Sequence, residues 1–453
     1  MSRTESDSLH LMTEGNIMKE ILLFSVPLIL GNLLQQFYNT FDSIMVGKCV
    51  GANALAAVGS SSSLIFLIIS FAQGASVGAG VVVSQYLGGR NDKGVHRTVH
   101  TSLAIALLLG VLMSIIGVLA SRTLLLWMDT PKEVLPESIT YLKIYFAGTI
   151  FTVLYNMISG ILNAVGNSKR SLLYLFIASV TNIVLDIVLV AILRMGIAGA
   201  AIATVFSQFM SCLFSLLYLM RVDASYKVIL RKIRFYKNQT LRIIRVGLPA
   251  GIQNTVIAIS NVLVQSSVNG YGATPMAGFG AYLKVDGFNI LPVMSISMAI
   301  TTFTGQNFGA GKLDRVKKGM WKTLLIGIIY TVVTGILILT FSQPIMHLFT
   351  DDPEVTKYGC EAMKFFCPFY WLLSILHGLA GTVRGTGKSI PPMAVLLISL
   401  CLFRIVWIQW ILPHFTTIDG VFVLYPISWA VGVTLMILYT LFGHWLYPSG
   451  KRQ

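Results

Sequence analysis

Apolar runs long enough to cross a membrane alternate along the whole chain with short polar connections. A span needs roughly 20 apolar residues. On that measure the runs predict helices near 19–43, 54–87, 98–120, 138–164, 171–193 and 197–220, then near 241–267, 275–308, 320–343, 357–384, 391–412 and 420–446. The pattern also repeats. Displaced by 221 residues, Gly51, Ala52, Ala56 and Gly59 fall on Gly272, Ala273, Ala277 and Gly280, and Gln85 and Gly88 fall on Gln306 and Gly309. Lys143, Gly160, Gly166 and Ser168 fall on Lys364, Gly381, Gly387 and Ser389. Six spans per half make the two halves point the same way, and parallel repeats of this kind are a hallmark of secondary transporters.

The expected fold is an all-α membrane protein of twelve transmembrane helices in two six-helix lobes related by a parallel internal repeat of period 221. The expected division is a tail at 1–18, an N-lobe at 19–220, a basic linker at 221–240, a C-lobe at 241–446 and a tail at 447–453. Composition agrees: of 453 residues 55% are hydrophobic and only 11% charged, with mean hydropathy +0.76. Soluble domains carry about 25% charged residues. Residues 1–16 lack an apolar core, so no cleaved signal peptide is expected.

The net charge of +15 is unevenly placed. Lys and Arg crowd into one set of connections, among them Arg90/Lys93/Arg97, the 221–245 stretch and Lys312/Arg315/Lys317/Lys318. The other set holds only Lys48, Arg122, Lys132, Arg194 and Lys357. Positive residues favour the cytoplasmic side. Both termini are therefore expected in the cytoplasm, the linker is read as a solvated tether, and no nucleic-acid partner is implied. The five cysteines form no metal-binding spacing and read as buried apolar residues. The scattered histidines suggest neither a metal site nor a catalytic triad.

Ionisable residues inside spans are costly and usually face protein or a wet cavity. Asn32, Gln35, Asn39 and Asp42 are spaced as one stripe of the first helix, which also contains Pro27, where a bend is expected. On the fifth span Ser179, Asn182 and Asp186 share a face. Asp42 lies six residues before Lys48, roughly 9 Å along a helix, and Asp186 eight before Arg194, roughly 12 Å. Thr204, roughly 11 Å into the sixth span, sits at similar depth. Under the 221-residue shift Asp42 falls on Leu263 and Asp186 on Trp407, so the scaffold is duplicated and the acids are not. Two adjacent carboxylates in a low dielectric cannot both stay ionised without a cation. They either share protons or hold Na⁺ with Asn and Thr oxygens. The bland alternative makes Asp42 a rim anchor and pairs Asp186 with a basic neighbour.

Several segments carry a resemblance: Pro27 with Asp42 before Val46-Gly47, "SQYLGG" at 84–89, "GQNFGAG" at 305–311, "AVGNSKR" at 164–170, "NIVLD" at 182–186 and "GAAIAT" at 199–204. With these the chain resembles the multidrug and toxic compound extrusion (MATE) family over essentially its full length, closest to the DinF-like branch. The resemblance implies a twelve-helix transporter that exports organic cations and other drugs in exchange for H⁺ or Na⁺. It places the cation-coupling site on Asp42, Asn182, Asp186 and Thr204. The branch with acids in the C-lobe expects carboxylates on the seventh and tenth helices. Here the seventh has none and the tenth only Glu361 near its start.

Gln253 and Ser260 on the seventh span, with Lys284 and Asp286 on the eighth, join Asn32, Gln35 and Asn39 as candidates for a substrate cavity. Lys284 and Asp286 are either a charge pair or a second site. "RGTGKS" at 384–389 lacks the first glycine of a phosphate-binding loop, Thr382 standing in its place. The expectation is an ion-coupled secondary antiporter working by alternating access, not an enzyme. It needs no cofactor beyond the coupling ion, and no metal other than Na⁺ at the carboxylates. The setting would be a bacterial inner membrane, the partners membrane lipids and small-molecule drugs, the working unit a monomer. The alternative is a flippase or exporter of lipid-linked or polar metabolites, which would need a strongly cationic cavity. Arg404, Lys284 and Lys364 would make only a thin one.

Overall fold

The computed structural model describes residues 11–128 and 130–447. The parts of the two expected tails at 1–10 and 448–453, with Arg3, Lys451 and Arg452, lie outside the described residues. Every described element is helical. The first six spans are α1 (Ile17–Cys49), α2 (Ala52–Gly88), α3 (Asp92–Trp127), α4 (Leu135–Ala147 with Thr149–Ala164), α5 (Ser168–Leu185, extended by Asp186–Ile192) and α6 (Gly196–Arg221). The next three are α7 (Lys237–Asn269), α8 (Ala273–Gly309) and α9 (Leu313–Thr340). Then come α10 (Pro353–Phe366 with Tyr370–Gly385), α11 (Ile390–Leu397, continued in short pieces to His414) and α12 (Asp419–Phe442). Among the described residues eleven helices are long and apolar enough to cross a membrane, and the bent pair in α4 makes twelve. The last span stops at Phe442, short of the expected 446.

Two of the irregularities fall at equivalent positions of the repeat. The halves of α4 meet at 49° around Gly148, and α10 is interrupted at Cys367–Phe369, which a shift of 221 places over 146–148. A Cβ on Gly148 would collide with the Val205 side chain of α6, so the bend uses the missing side chain. In α5 the helix widens to a π-helical segment at Asp186–Ile192, where the Leu193 N–H reaches Val188 O, five residues back. In α11 a π-helical segment opens at Trp407, the repeat equivalent of Asp186. Helical periodicity alone gives no sign of these wider turns.

The described residues form two compact units: Leu11 with 26–251, and Met12–Ser25 with 252–447. The divisions thus fall inside α1 and α7 rather than at the linker. Each unit secures a helix start with the same glutamine of the repeat. In the first, Arg242 Nη2 donates to Gln85 Oε1 at 2.9 Å. In the second, the Met12 N–H donates to Gln306 Oε1 at 2.8 Å. Arg315 adds bonds to the carbonyls of Met12, Glu14 and Gly15, and Lys312 to that of Thr13. The core of the first unit is aliphatic around Val83, Leu103, Ile158 and Ile161. That of the second is aromatic, with Phe279, Tyr282, Phe366, Tyr370 and Phe422 wholly buried or nearly so.

Within the first unit α2 and the start of α7 cross at backbone contact. A Cβ on Gly74 would lie 2.6 Å from Gly247 O, and one on Gly78 2.7 Å from the Gly247 N. Small residues allow such close approach in membrane helices. Gly74→Val is expected to cost roughly 3 kcal/mol or more, because backbone cannot yield as a side chain does. Gly59→Ala meets nothing within 4 Å and should be silent. Membrane yield and the melting temperature of purified protein check both.

The linker is not the solvated tether expected from its charge. Tyr226 and Val228 are buried in the first unit's core. The Ile229 N–H donates to His100 Nε2 at 3.0 Å, and the Tyr236 N–H to Thr101 Oγ1 at 3.3 Å. His100 Nδ1 in turn faces His96 O at 2.7 Å, which assigns the proton to Nδ1.

Candidate functional site

Two acids meet inside the first unit. Asp42 from α1 is 8% exposed, and Asn182 and Asp186 from α5 are wholly buried. The two carboxyl groups adjoin within hydrogen-bonding reach. As carboxylates neither has a hydrogen to offer the other, so that contact becomes a bond only when one is protonated. Asp42 Oδ1, both carboxyl oxygens of Asp186, and Oδ1 and Nδ2 of Asn182 are buried without a hydrogen-bond partner in the protein. Buried polar atoms are normally satisfied, and five unpaired ones at two adjoining acids and one amide make this cluster the candidate site.

The local sequence explains the placement. Asn182 and Asp186 are one helical turn apart, and the Asp186 N–H donates to Asn182 O. Asp186 is also the first residue of the π-helical segment, a feature frequent at functional sites. Tyr141 of α4 is buried and close enough to feel both carboxyl charges; Tyr38, one turn before Asp42, is buried beside it. Sequence reasoning missed both tyrosines, although the Tyr38–Asp42 spacing of four was visible. Lys48 and Arg194, the nearest cations along the chain, are exposed. Among the described residues neither acid has a basic partner, which counts against the alternative that pairs Asp186 with a basic neighbour.

The other candidates are less uniform. Thr204 is half-buried, and its hydroxyl donates to Ala200 O of its own helix at 3.1 Å. Along the stripe of α1, Asn32 is half-buried, Gln35 and Asn39 are exposed and Asp42 is buried. Pro27 lies inside α1, which continues through it as one helix.

In the second unit, Lys284 and Asp286 are not a charge pair. Lys284 is exposed, with Nζ 5.9 Å from the centre of the Phe349 ring. Asp286 Oδ1 accepts from Tyr370 Oη at 2.8 Å and Tyr282 Oη at 3.3 Å. Two residues apart on a helix point in opposed directions, whereas Tyr282 and Asp286 are four apart and share a face. Gln253 Oε1 accepts from Arg384 Nη2 at 3.2 Å. Ser260 donates to Leu400 O, in the widened part of α11. Arg404 is buried, donating to Ser428 Oγ at 3.3 Å and Asn261 Oδ1 at 3.2 Å, with its guanidinium 4.5 Å from the centre of the Tyr425 ring. Lys364 is exposed.

A duplicated twelve-helix bundle with an adjoining pair of buried acids in one half defines a membrane transporter of the parallel-repeat class. The family model MatE matches residues 27–188 and again 249–409, two segments in step with the 221-residue repeat. The chain belongs to this family, multidrug and toxic compound extrusion. It is 32% identical over 392 residues to the probable multidrug resistance protein YpnP of Bacillus subtilis, covering 86% of this chain and 88% of that one. It is 30% identical over 454 residues to the probable multidrug resistance protein YoeA of the same organism, covering 97% and 96%. A structure described as the outward-facing conformation of a multidrug resistance MATE family transporter superposes with a TM-score of 0.89 at 23% identity, covering 96% of this chain and 98% of that one.

Proposed function

We propose that the protein is a secondary antiporter that exports drugs or organic cations in exchange for H⁺ or Na⁺, coupled at Asp42 and Asp186 with Asn182. The adjoining, unpaired carboxyl groups of α1 and α5 are the observation that carries this reading. Thr204 joins the site if its hydroxyl leaves Ala200. The multidrug names of the two Bacillus relatives support the substrate class. The working unit is a monomer in a bacterial inner membrane, with the basic connections and both termini in the cytoplasm, as the distribution of Lys and Arg favours.

The exchange follows from electrostatics. Neutralised by a proton or Na⁺, the acids tolerate a dry, tight α1–α5 contact. Without it they demand water or a cationic drug, because a buried unpaired charge costs several kcal/mol. Coupling ion and drug therefore compete for one half of the molecule. α1 carries Asp42 together with Pro27, whose ring removes a backbone hydrogen bond, so the helix is the element suited to change shape with the charge. Asn32, Gln35 and Asn39 of α1 are proposed to meet substrate, as are Gln253, Ser260, Lys284 and Asp286 of the second half.

The flippase alternative loses support because Arg404, the buried cation of the three it would use, is already engaged by Asn261, Ser428 and Tyr425. Drug efflux from proteoliposomes under separately imposed pH and Na⁺ gradients tests the proposal. One of the two gradients should drive export, and export driven by neither would overturn it.

A further inference from the structure

A basic cleft of about 740 Å³ lies in the first unit, between the start of α3 and the linker that joins α6 to α7. Lys93 and Arg97 line one wall, and Lys227, Arg231, Lys232 and Arg234 the other. Asp92 is the one acid among the lining residues. The coupling site uses none of these groups.

The cleft is built rather than a chance gathering of solvated charges. Its linker wall is fixed to α3 by the bonds to His100 and Thr101 described above. Arg97 and Arg234 approach the same Tyr236 ring, with guanidinium carbons 5.6 and 4.6 Å from its centre, so one aromatic ring meets a cation from each wall. The six cations that line the cleft repel one another, and a bound anion relieves that repulsion. The second observation is apolar. Leu230 and Phe235 stand next to these cations in sequence and are 51% and 52% exposed. A soluble anion has no use for them, whereas a lipid presents acyl chains beside its phosphate. The cleft also lies at the ends of three spans, the depth at which headgroups sit.

We propose that this cleft binds the phosphate headgroup of an anionic phospholipid, with Leu230 and Phe235 against its acyl chains. The proposal stands apart from the antiport reading. It makes the linker a lipid-anchored part of the first unit, in place of a tether whose charge serves orientation alone.

The test uses purified full-length protein in neutral detergent, with lipid adducts counted by native mass spectrometry and melting temperature measured in parallel. The probes are dioleoyl phosphatidylglycerol, dioleoyl phosphatidylcholine and inorganic phosphate. Phosphatidylglycerol should bind and raise the melting temperature, and phosphatidylcholine should do neither. The double variant Arg231→Gln/Lys232→Gln should weaken that binding at least tenfold. Lys317→Gln/Lys318→Gln removes two exposed cations that do not line the cleft and should leave binding unchanged. Phe235→Ser should weaken lipid binding with every cation in place, so a misfolded charge variant would not spare the proposal. Equal loss in the Lys317/Lys318 variant would reduce the effect to diffuse surface charge and overturn the site. Equal binding of phosphatidylcholine would overturn it too. Competition by millimolar inorganic phosphate, with Phe235→Ser silent, would make the ligand a soluble anion and overturn the lipid.

Discussion

Asp186→Asn is expected to abolish ion-driven drug export, at least a hundredfold below the parent, with unchanged abundance in the membrane. The amide keeps the shape of the side chain and cannot take up or release the coupling ion. Asp186 is wholly buried and both of its carboxyl oxygens lack a protein partner, so no structural bond is lost with the charge. Breaking a buried pair usually destabilises, but here the substitution removes a buried acid that has no basic partner, and the melting temperature should hold or rise. Asp42→Asn should behave alike. Thr204→Ala should cost far less, because its hydroxyl already bonds Ala200 O. Efflux assays on membrane fractions matched for protein amount check all three. A melting temperature that collapses in Asp186→Asn would make the acid structural.

The second large effect is topological and all-or-none. Cys49 is exposed at the far end of α1, while Cys212 and Cys367 are buried and Cys360 and Cys401 half-buried. With the other four replaced by Ala, Cys49 should react with an impermeant maleimide from outside intact cells. A cysteine at 223–238 or 312–318 in a cysteine-free background should react only once the membrane is opened. External labelling of the 223–238 linker would reverse the orientation and with it the direction of transport.

Much of this was legible in the sequence because hydrocarbon length and repeat spacing are one-dimensional signals. Twelve spans appear where the apolar runs lie, and two of the breaks the structure adds fall at equivalent positions of the repeat, Gly148 against 367–369 and Asp186 against Trp407. That correspondence gives the missing acid its meaning: the widened turn belongs to the scaffold, and only one copy carries a carboxyl group. Other features depend on direction around a helix axis and were harder to read. The α1 stripe looked uniform by spacing, yet Gln35 and Asn39 are exposed while Asp42 is buried. Lys284 and Asp286 looked like partners by proximity in sequence, but the four-residue spacing of Tyr282 and Asp286 was the better signal. The linker was misread because its charge masks the buried Tyr226 and Val228 that fasten it to the core.

Antiport at a shared pair of acids makes one quantitative demand. A proton crossing 100 mV supplies about 2.3 kcal/mol, and each tenfold drug gradient costs about 1.4. A monovalent drug cation exchanged for one proton moves no net charge, so only the pH gradient drives it. Coupling then requires that ion and drug exclude each other at equilibrium. The most direct measurement is drug affinity of the purified protein, followed across pH at zero Na⁺ and across Na⁺ at fixed pH. For a proton-coupled site the affinity falls as pH falls, since protonation favours the state that has closed on itself. For a sodium-coupled site it falls as Na⁺ rises. Either dependence should vanish in the Asp42→Asn/Asp186→Asn double variant. A parent protein whose drug affinity ignores both pH and Na⁺ would contradict the account.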